Sequence, residues 1–181
     1  MLLFAWLGEL GRATRDVDLL GLGDLSDDTL LSRMQAVCRQ PVDDDGMVFD
    51  PATIRIGDIR VEDPHGGRRV SLTGRLGAGR IRVQVDVGMV DAMVPEPDWL
   101  DLPVLLDAPA PRLRVYRPET VVAEKFHAVV RLGVANTRLK DFYDLVALAQ
   151  TQSFDGEALR AAIEATFDRR KPRPPSGSRR D

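Results

Sequence analysis

Asp16 and Asp18 stand one residue apart in "RATRDVDLLG", just ahead of a run of leucines. In an extended strand, residues two apart face the same side. Both carboxylates then project together while Val17 turns toward a core. Two like charges held side by side repel unless a cation sits between them. Hard divalent cations take oxygen ligands, and Mg²⁺ favours one or two carboxylates together with phosphates. Asp86, in "RVQVDVG", falls on the polar face of a later strand and can converge on the same point. Three carboxylates on neighbouring strands form a two-metal phosphoryl-transfer arrangement. A plainer reading stands beside this one. The D-x-D pattern occurs at many solvated strand ends, and an aspartate at a strand exit is commonly a surface residue.

The stretch "YRPETVVAEKFHAVVRLGVANTRLKDFYDL" holds a second group. Lys125 is flanked by Ala123, Phe126 and Val129. A lysine on a largely apolar helix either snorkels to water or offers a point charge to phosphate. Asp141 and Asp144 lie three residues apart and share a helix face. Lys140 and Asp144 have the spacing of an ordinary i,i+4 pair, worth only about 0.2–0.5 kcal/mol. His127 reads as a half-buried packing residue rather than a ligand.

These residues need elements to hold them. "SDDTLLSRMQAVCRQP" reads as a helix. Ser26 can cap it, Asp27 and Asp28 suit its positive end, and Pro41 stops it. Leu30, Leu31, Met34, Val37 and Cys38 recur at helical spacing. "TIRIGDIRV" alternates weakly and "RRVSLTGRL" reads as a strand, followed by a tight turn at "GAG". "RIRVQVDVG" alternates cleanly, with Ile81, Val83, Val85 and Val87 on one face and Arg80, Arg82, Gln84 and Asp86 on the other. These strands predict an antiparallel meander packed on one face. A Pro-rich link, "VPEPDWLDLPVLLDAPAPRLRVY", then leads to a helical end. One helix opens at Pro118 and Glu119 and runs to about Leu132. A second, "TRLKDFYDLVALAQ", is predicted to turn Leu139, Phe142, Leu145 or Val146, and Ala149 inward. A third, "FDGEALRAAIEATFDRR", turns Leu159, Ile163 and Phe167 inward. Helices segregated from a largely antiparallel sheet give an α+β fold. The expected division is a sheet core over 1–117, a helical segment over 118–168 and a disordered basic tail over 169–181.

Composition narrows the class. The chain has 181 residues, 44% hydrophobic and 29% charged, which suits one soluble globular domain with a real core. The opening "MLLFAWLGEL" is too short for a membrane span and lacks the basic start and cleavage site of a signal peptide. Cys38 is the only cysteine, so no disulfide framework or thiolate zinc site forms within one chain. That fits a reducing cytoplasm. His65 and His127 are the only histidines and are far apart in sequence, which argues against a histidine-based metal site. From Arg169 onward the tail holds six basic residues and one acid. A tail of +5 in a chain of −3 leaves −8 on residues 1–168, which does not advertise a nucleic-acid surface.

In order and spacing, "RATRDVDLLG", "RVQVDVG", "YRPETVVAEKFHAVVRLG", "NTRLKDFYDL" and "LRAAIEATFDRR" together resemble the AbiEii/AbiGii-type toxin nucleotidyltransferases. These form a branch of the polymerase-β-like nucleotidyltransferase superfamily, and the likeness spans roughly residues 2 to 170. It implies a nucleotidyltransferase-type mixed, largely antiparallel sheet with a helical C-terminal part. It implies that Asp16 and Asp18 match the paired metal ligands and Asp86 the third carboxylate, nearest the attacking hydroxyl. Lys125 would match the lysine that holds the nucleotide's phosphates, and Asp141 the acidic residue that completes the site. Tyr143 and Asp144 belong to the same signature as supports. Arg15 and Thr14 stand in the position before the carboxylates, where they would orient the nucleotide site.

The implied activity is a Mg²⁺-dependent transfer, with two ions, of a nucleoside monophosphate from a nucleoside triphosphate to an RNA, for some members the 3′ end of tRNA. A cognate antitoxin protein is the implied partner. The superfamily places a glycine-rich phosphate-holding turn and a helix upstream of D-x-D. "MLLFAWLGELG" reads as the interior of that helix, with Gly8 and Gly11 at its end, and "ATFDRR" runs into a Pro/Arg tail. The expectation is therefore a copy shortened at both ends. Its alternative function is that of a truncated, inactive nucleotidyltransferase-like domain that acts only by binding a partner.

Overall fold

A computed structural model describes residues 2–8, 16–42, 45–59, 66–89, 93–104, 107, 109–133 and 139–170, and of Asp16 the backbone alone. In chain order the elements are α1 (Leu2–Leu7), β1 (Asp16–Gly21), α2 (Asp27–Cys38), β2 (Met47–Asp58), β3 (Gly67–Leu76), β4 (Gly79–Met89), β5 (Asp98–Asp101), β6 (Arg112–Val115), α3 (Pro118–Leu132), α4 (Leu139–Thr151) and α5 (Gly156–Arg169). The fold is α+β with a largely antiparallel sheet and C-terminal helices, as the sequence predicts. The chain divides into two compact units, one of Thr14–Asp91 and one of Met1–Ala13 with Ala92–Asp181. The first helix and residues 92–117 thus group with the C-terminal helices, a different grouping from the sequence-based division after residue 117.

In the first unit, β2, β3 and β4 form the antiparallel meander, and β1 adds to the edge of β4 in parallel, giving the order β1-β4-β3-β2. The strand residues sort by alternation. Val17, Val85, Val70 and Ile56 form one cross-strand row on the core face. Leu25, Leu30, Ile54, Leu72 and Val87 join Val70 and Val85 in the buried cluster, with Leu31, Met34 and Cys38 of α2 packed against it. Full burial of a side chain such as Val70 contributes about 1.5–3 kcal/mol.

Helix α2 begins where its sequence says. The Ser26 hydroxyl accepts from the Thr29 N–H. Hydrogen bonds from the Thr29 hydroxyl and from Ser26 hold the Asp24 carboxyl below its ordinary range. Burial pushes the Cys38 thiol up. Val37 is a correction: it is 65% exposed, outside the buried stripe. Gly77 takes φ +57 in the β3–β4 turn, a left-handed conformation that suits glycine. At the end of β1, a Cβ on Gly21 would come within 2.4 Å of Leu25 and 2.9 Å of Val87. Strand β2 starts earlier than predicted and absorbs Pro51 at a register shift between Asp50 and Arg55.

The second unit corrects the reading of the Pro-rich link. It carries a two-stranded antiparallel sheet, β5 with β6, in which Arg112 lies over the Trp99 ring at 5.9 Å. Helix α3 has Pro118 at its first turn and ends at Leu132, as predicted, with Gly133 as its C-cap. Leu3 and Leu7 of α1 bury against Ala147 and Leu148 of α4.

The inward face of α4 also departs from expectation. Asp141, Asp144, Ala147 and Leu148 are buried, whereas Leu139, Phe142 and Val146 are exposed. In α5, capped by Asp155, the fully buried positions are Ala162 and Thr166, with Leu159, Ile163 and Phe167 partly buried beside them. Arg169 closes α5, and it and Arg170 both pair with Glu124. These two residues therefore belong to the folded helix end rather than to the tail; 171–181 lie outside the described residues.

Candidate active site

Asp18 and Asp86 both lie in the sheet unit. Strand register pairs Asp18 with Asp86, and Asp16 with Gln84 one step earlier. Register partners on parallel strands share a face. Val17 and Val85 take the core side, so Asp18 and Asp86 emerge together on the other. Neighbouring strands run about 4.8 Å apart, which puts the two carboxylates within reach of one cation. Asp18 is exposed, and the Asp86 side chain is only 14% exposed. Arg69 grips Asp86 with two hydrogen bonds, Nε to Oδ1 and Nη2 to Oδ2, each 2.8 Å. Arg69 is the register partner of Asp86 on β3, so the fork follows from backbone pairing. Composition did not single out Arg69. The signal available was its place in "RRV", on a strand destined to lie beside that of Asp86.

Carboxylate oxygens suit a hard divalent cation rather than a thiolate- or imidazole-loving one. A pair of carboxylates is enough for Mg²⁺ when phosphates complete the shell. The residues present therefore fit the ion. Among the described residues no cluster of three or more His, Cys, Asp or Glu side chains forms a metal site. The side chain of Asp16, the third member of the expected set, lies outside the described residues, as do Thr14 and Arg15.

Lys125 lies in the other unit, which holds the C-terminal helices. Lys125 Nζ lies 2.7 Å from Asp144 Oδ2 and 3.4 Å from Asp141 Oδ1. Asp144 is fully buried and Asp141 nearly so, which explains why α4 turns this face inward: the half-buried ammonium on α3 offsets its acids. Of the two, Asp144, read from sequence as a support, is the closer partner of Lys125. A cavity of about 220 Å³ opens beside Lys125, lined also by Glu124, His127, Ala128, Arg131, Asp141 and Arg170.

His127 is buried and meets the Phe167 ring edge-on at 4.9 Å, a packing role as predicted. Burial, with Arg170 nearby, pulls its pKa below the ordinary 6.5. A larger cavity, about 510 Å³, lies in the sheet unit between Gly23–Ser26 and Gly66–Arg68; none of the expected site residues lines it. Among the described residues, no helix is long and apolar enough to cross a membrane.

The family model described as nucleotidyl transferase AbiEii toxin, Type IV TA system, matches residues 1–180. No curated protein and no solved structure matches the chain.

Proposed function

This chain belongs to the AbiEii nucleotidyl transferase toxin family of type IV toxin–antitoxin systems, and we propose that it is a Mg²⁺-dependent enzyme that moves a nucleoside monophosphate from a nucleoside triphosphate onto an RNA. The observation that carries the proposal is the register of Asp18 with Asp86 on the polar face of the sheet. Such a pair has a reason to persist if a divalent cation and a triphosphate meet it.

In this reading Asp18 and Asp86, with Asp16, hold the cation. Asp86, sheltered from water, is the carboxylate nearest the attacking hydroxyl. When bound, Mg²⁺ supplies a lowered pKa for that hydroxyl and charge neutralisation for the departing pyrophosphate. Lys125 meets the phosphates. An ammonium has three donors, and Asp144 and Asp141 orient two of them, leaving one for a phosphate oxygen. Arg15 and Thr14 act ahead of the carboxylates in orienting the nucleotide. Positioning and electrostatics then do most of the catalytic work, as in phosphoryl transfer generally. Family membership implies a cognate antitoxin, and the single cysteine suits a cytoplasmic setting. A tRNA 3′ end is the proposed acceptor.

The test is direct. The chain is mixed with total tRNA, Mg²⁺ and each α-labelled nucleoside triphosphate in turn, beside Asp16→Ala/Asp18→Ala. Label on RNA that vanishes in the double variant is the expected result. An absence of label with every nucleotide would favour a domain that binds a partner without turnover.

A further inference from the structure

Asp86 already has a cation. The Arg69 fork engages both of its oxygens, and a bidentate guanidinium–carboxylate pair is among the stronger hydrogen-bonded contacts a protein makes. The Arg69 side chain is 39% exposed while that of Asp86 is 14% exposed, so the carboxylate is sheltered and its partner stands at the solvent margin. On its other side Arg69 is in register with Gly57 of β2. A Cβ built on Gly57 would meet nothing within 4 Å. The row Asp18, Asp86, Arg69, Gly57 therefore runs across the sheet on one face, with two acids at one end and open space at the other.

We propose that Arg69 is a positioning residue that serves as the resident counter-ion of Asp86, moves toward Gly57 when a divalent cation arrives, and so sets the cation affinity of the site. The proposal rests on the reading of Asp18 and Asp86 as cation ligands. Without a positive partner, two carboxylates on adjacent strands repel. Arg69 relieves that repulsion in the metal-free protein. The same charge opposes an incoming cation, because two positive centres a few ångströms apart repel and compete for the same oxygens. The space over Gly57 lets the guanidinium leave Asp86 while staying on its own strand and face.

The experiment titrates the full chain with Mn²⁺ alone and reads free Mn²⁺ by electron paramagnetic resonance. Arg69→Gln should bind Mn²⁺ about tenfold more tightly than the parent, the scale of one charge-assisted hydrogen-bonded contact. Arg69→Lys, which keeps the charge but loses the fork, should fall between them. Gly57→Val should weaken binding in the parent and have no effect in the Arg69→Gln background. Adding Asp86→Asn to Arg69→Gln should erase the gain.

Binding by Arg69→Gln equal to or weaker than the parent, with its circular dichroism intact, overturns the proposal. Should Arg69→Gln not fold, Arg69→Lys and Gly57→Val decide by the same signs. If the parent loses Mn²⁺ on Asp86→Asn while the Arg69 variants gain nothing, the cation site stands and the counter-ion role falls. If Asp86→Asn leaves Mn²⁺ binding unchanged, the cation reading of Asp86 falls too.

Discussion

Asp144, on the inward face of α4, is wholly buried with its Oδ2 2.7 Å from the Lys125 ammonium, closer than Asp141 at 3.4 Å. The lysine is only 15% exposed, so the three charges form a sheltered cluster in which one cation serves two acids. Breaking such a cluster from one side is costly, whereas removing both partners is less so. Lys125→Met is expected to lower unfolding free energy by about 3–5 kcal/mol. Adding Asp144→Asn should recover part of that loss. Urea unfolding of the two variants at pH 7 checks this, and equal losses would deny the coupling.

His127 gives a pH dependence with a defined sign. Burial, together with Arg170, Arg131 and Arg169, holds its folded pKa below 6.5, against a smaller opposing pull from Glu124. Above 6.5 the imidazole is neutral both folded and unfolded, and stability is unaffected. As pH falls below 6.5 the unfolded chain takes up the proton first, so stability is lost until the folded pKa is passed. The urea midpoint of the parent should fall between pH 7 and pH 5 by more than that of His127→Phe. Parallel curves for the two would refute it.

The carboxylate pair should be needed for transfer. Asp18→Asn removes one of the two carboxylates brought into register on β1 and β4. Nucleotide transfer should fall by roughly a hundredfold or more. Asp86→Asn should lose transfer to a similar extent and also about 1–3 kcal/mol of stability, because it weakens the Arg69 fork. Thermal melts run beside the transfer assay give both numbers.

Gly21 is a steric position. Any Cβ there runs into Leu25, which caps the core between β1 and α2, and into Val87. Gly21→Ala should cost about 1–3 kcal/mol by overpacking. Leu25→Ala in the same chain should make the glycine change far less costly, a coupling that a double-mutant cycle in urea measures.

Much of this was legible in sequence, for local reasons. Ser26 ahead of two aspartates marks a helix start, Pro118 marks another, and the alternation from Ile81 to Val87 marks β4. The pairing of β5 with β6 was not legible, because four-residue strands set among prolines carry too short a period to read. The facing of α4 was misjudged because apolar residues are taken as inward by default. Leu139, Phe142 and Val146 face out because Lys125, on a different helix, lets Asp141 and Asp144 face in. In the candidate site, the spacing of Asp16, Asp18 and Asp86 suggested convergence, but the Arg69 fork needs the β3–β4 register, which depends on the turn at Gly77 and on long-range pairing.

Strand β1 is synthesised before the meander it completes. Each hairpin contact in β2, β3 and β4 joins residues close in sequence, whereas Val17 meets Val85 only after the whole intervening chain is in place. Closing so long a loop is entropically late, and distant parallel pairing is intrinsically slow. The nascent chain therefore carries β1 without its β4 neighbour until the residues up to Met89 have been synthesised. The juxtaposition of Asp18 with Asp86 needs β4, and a chain that ends before β4 cannot place a second strand's carboxylate beside Asp18.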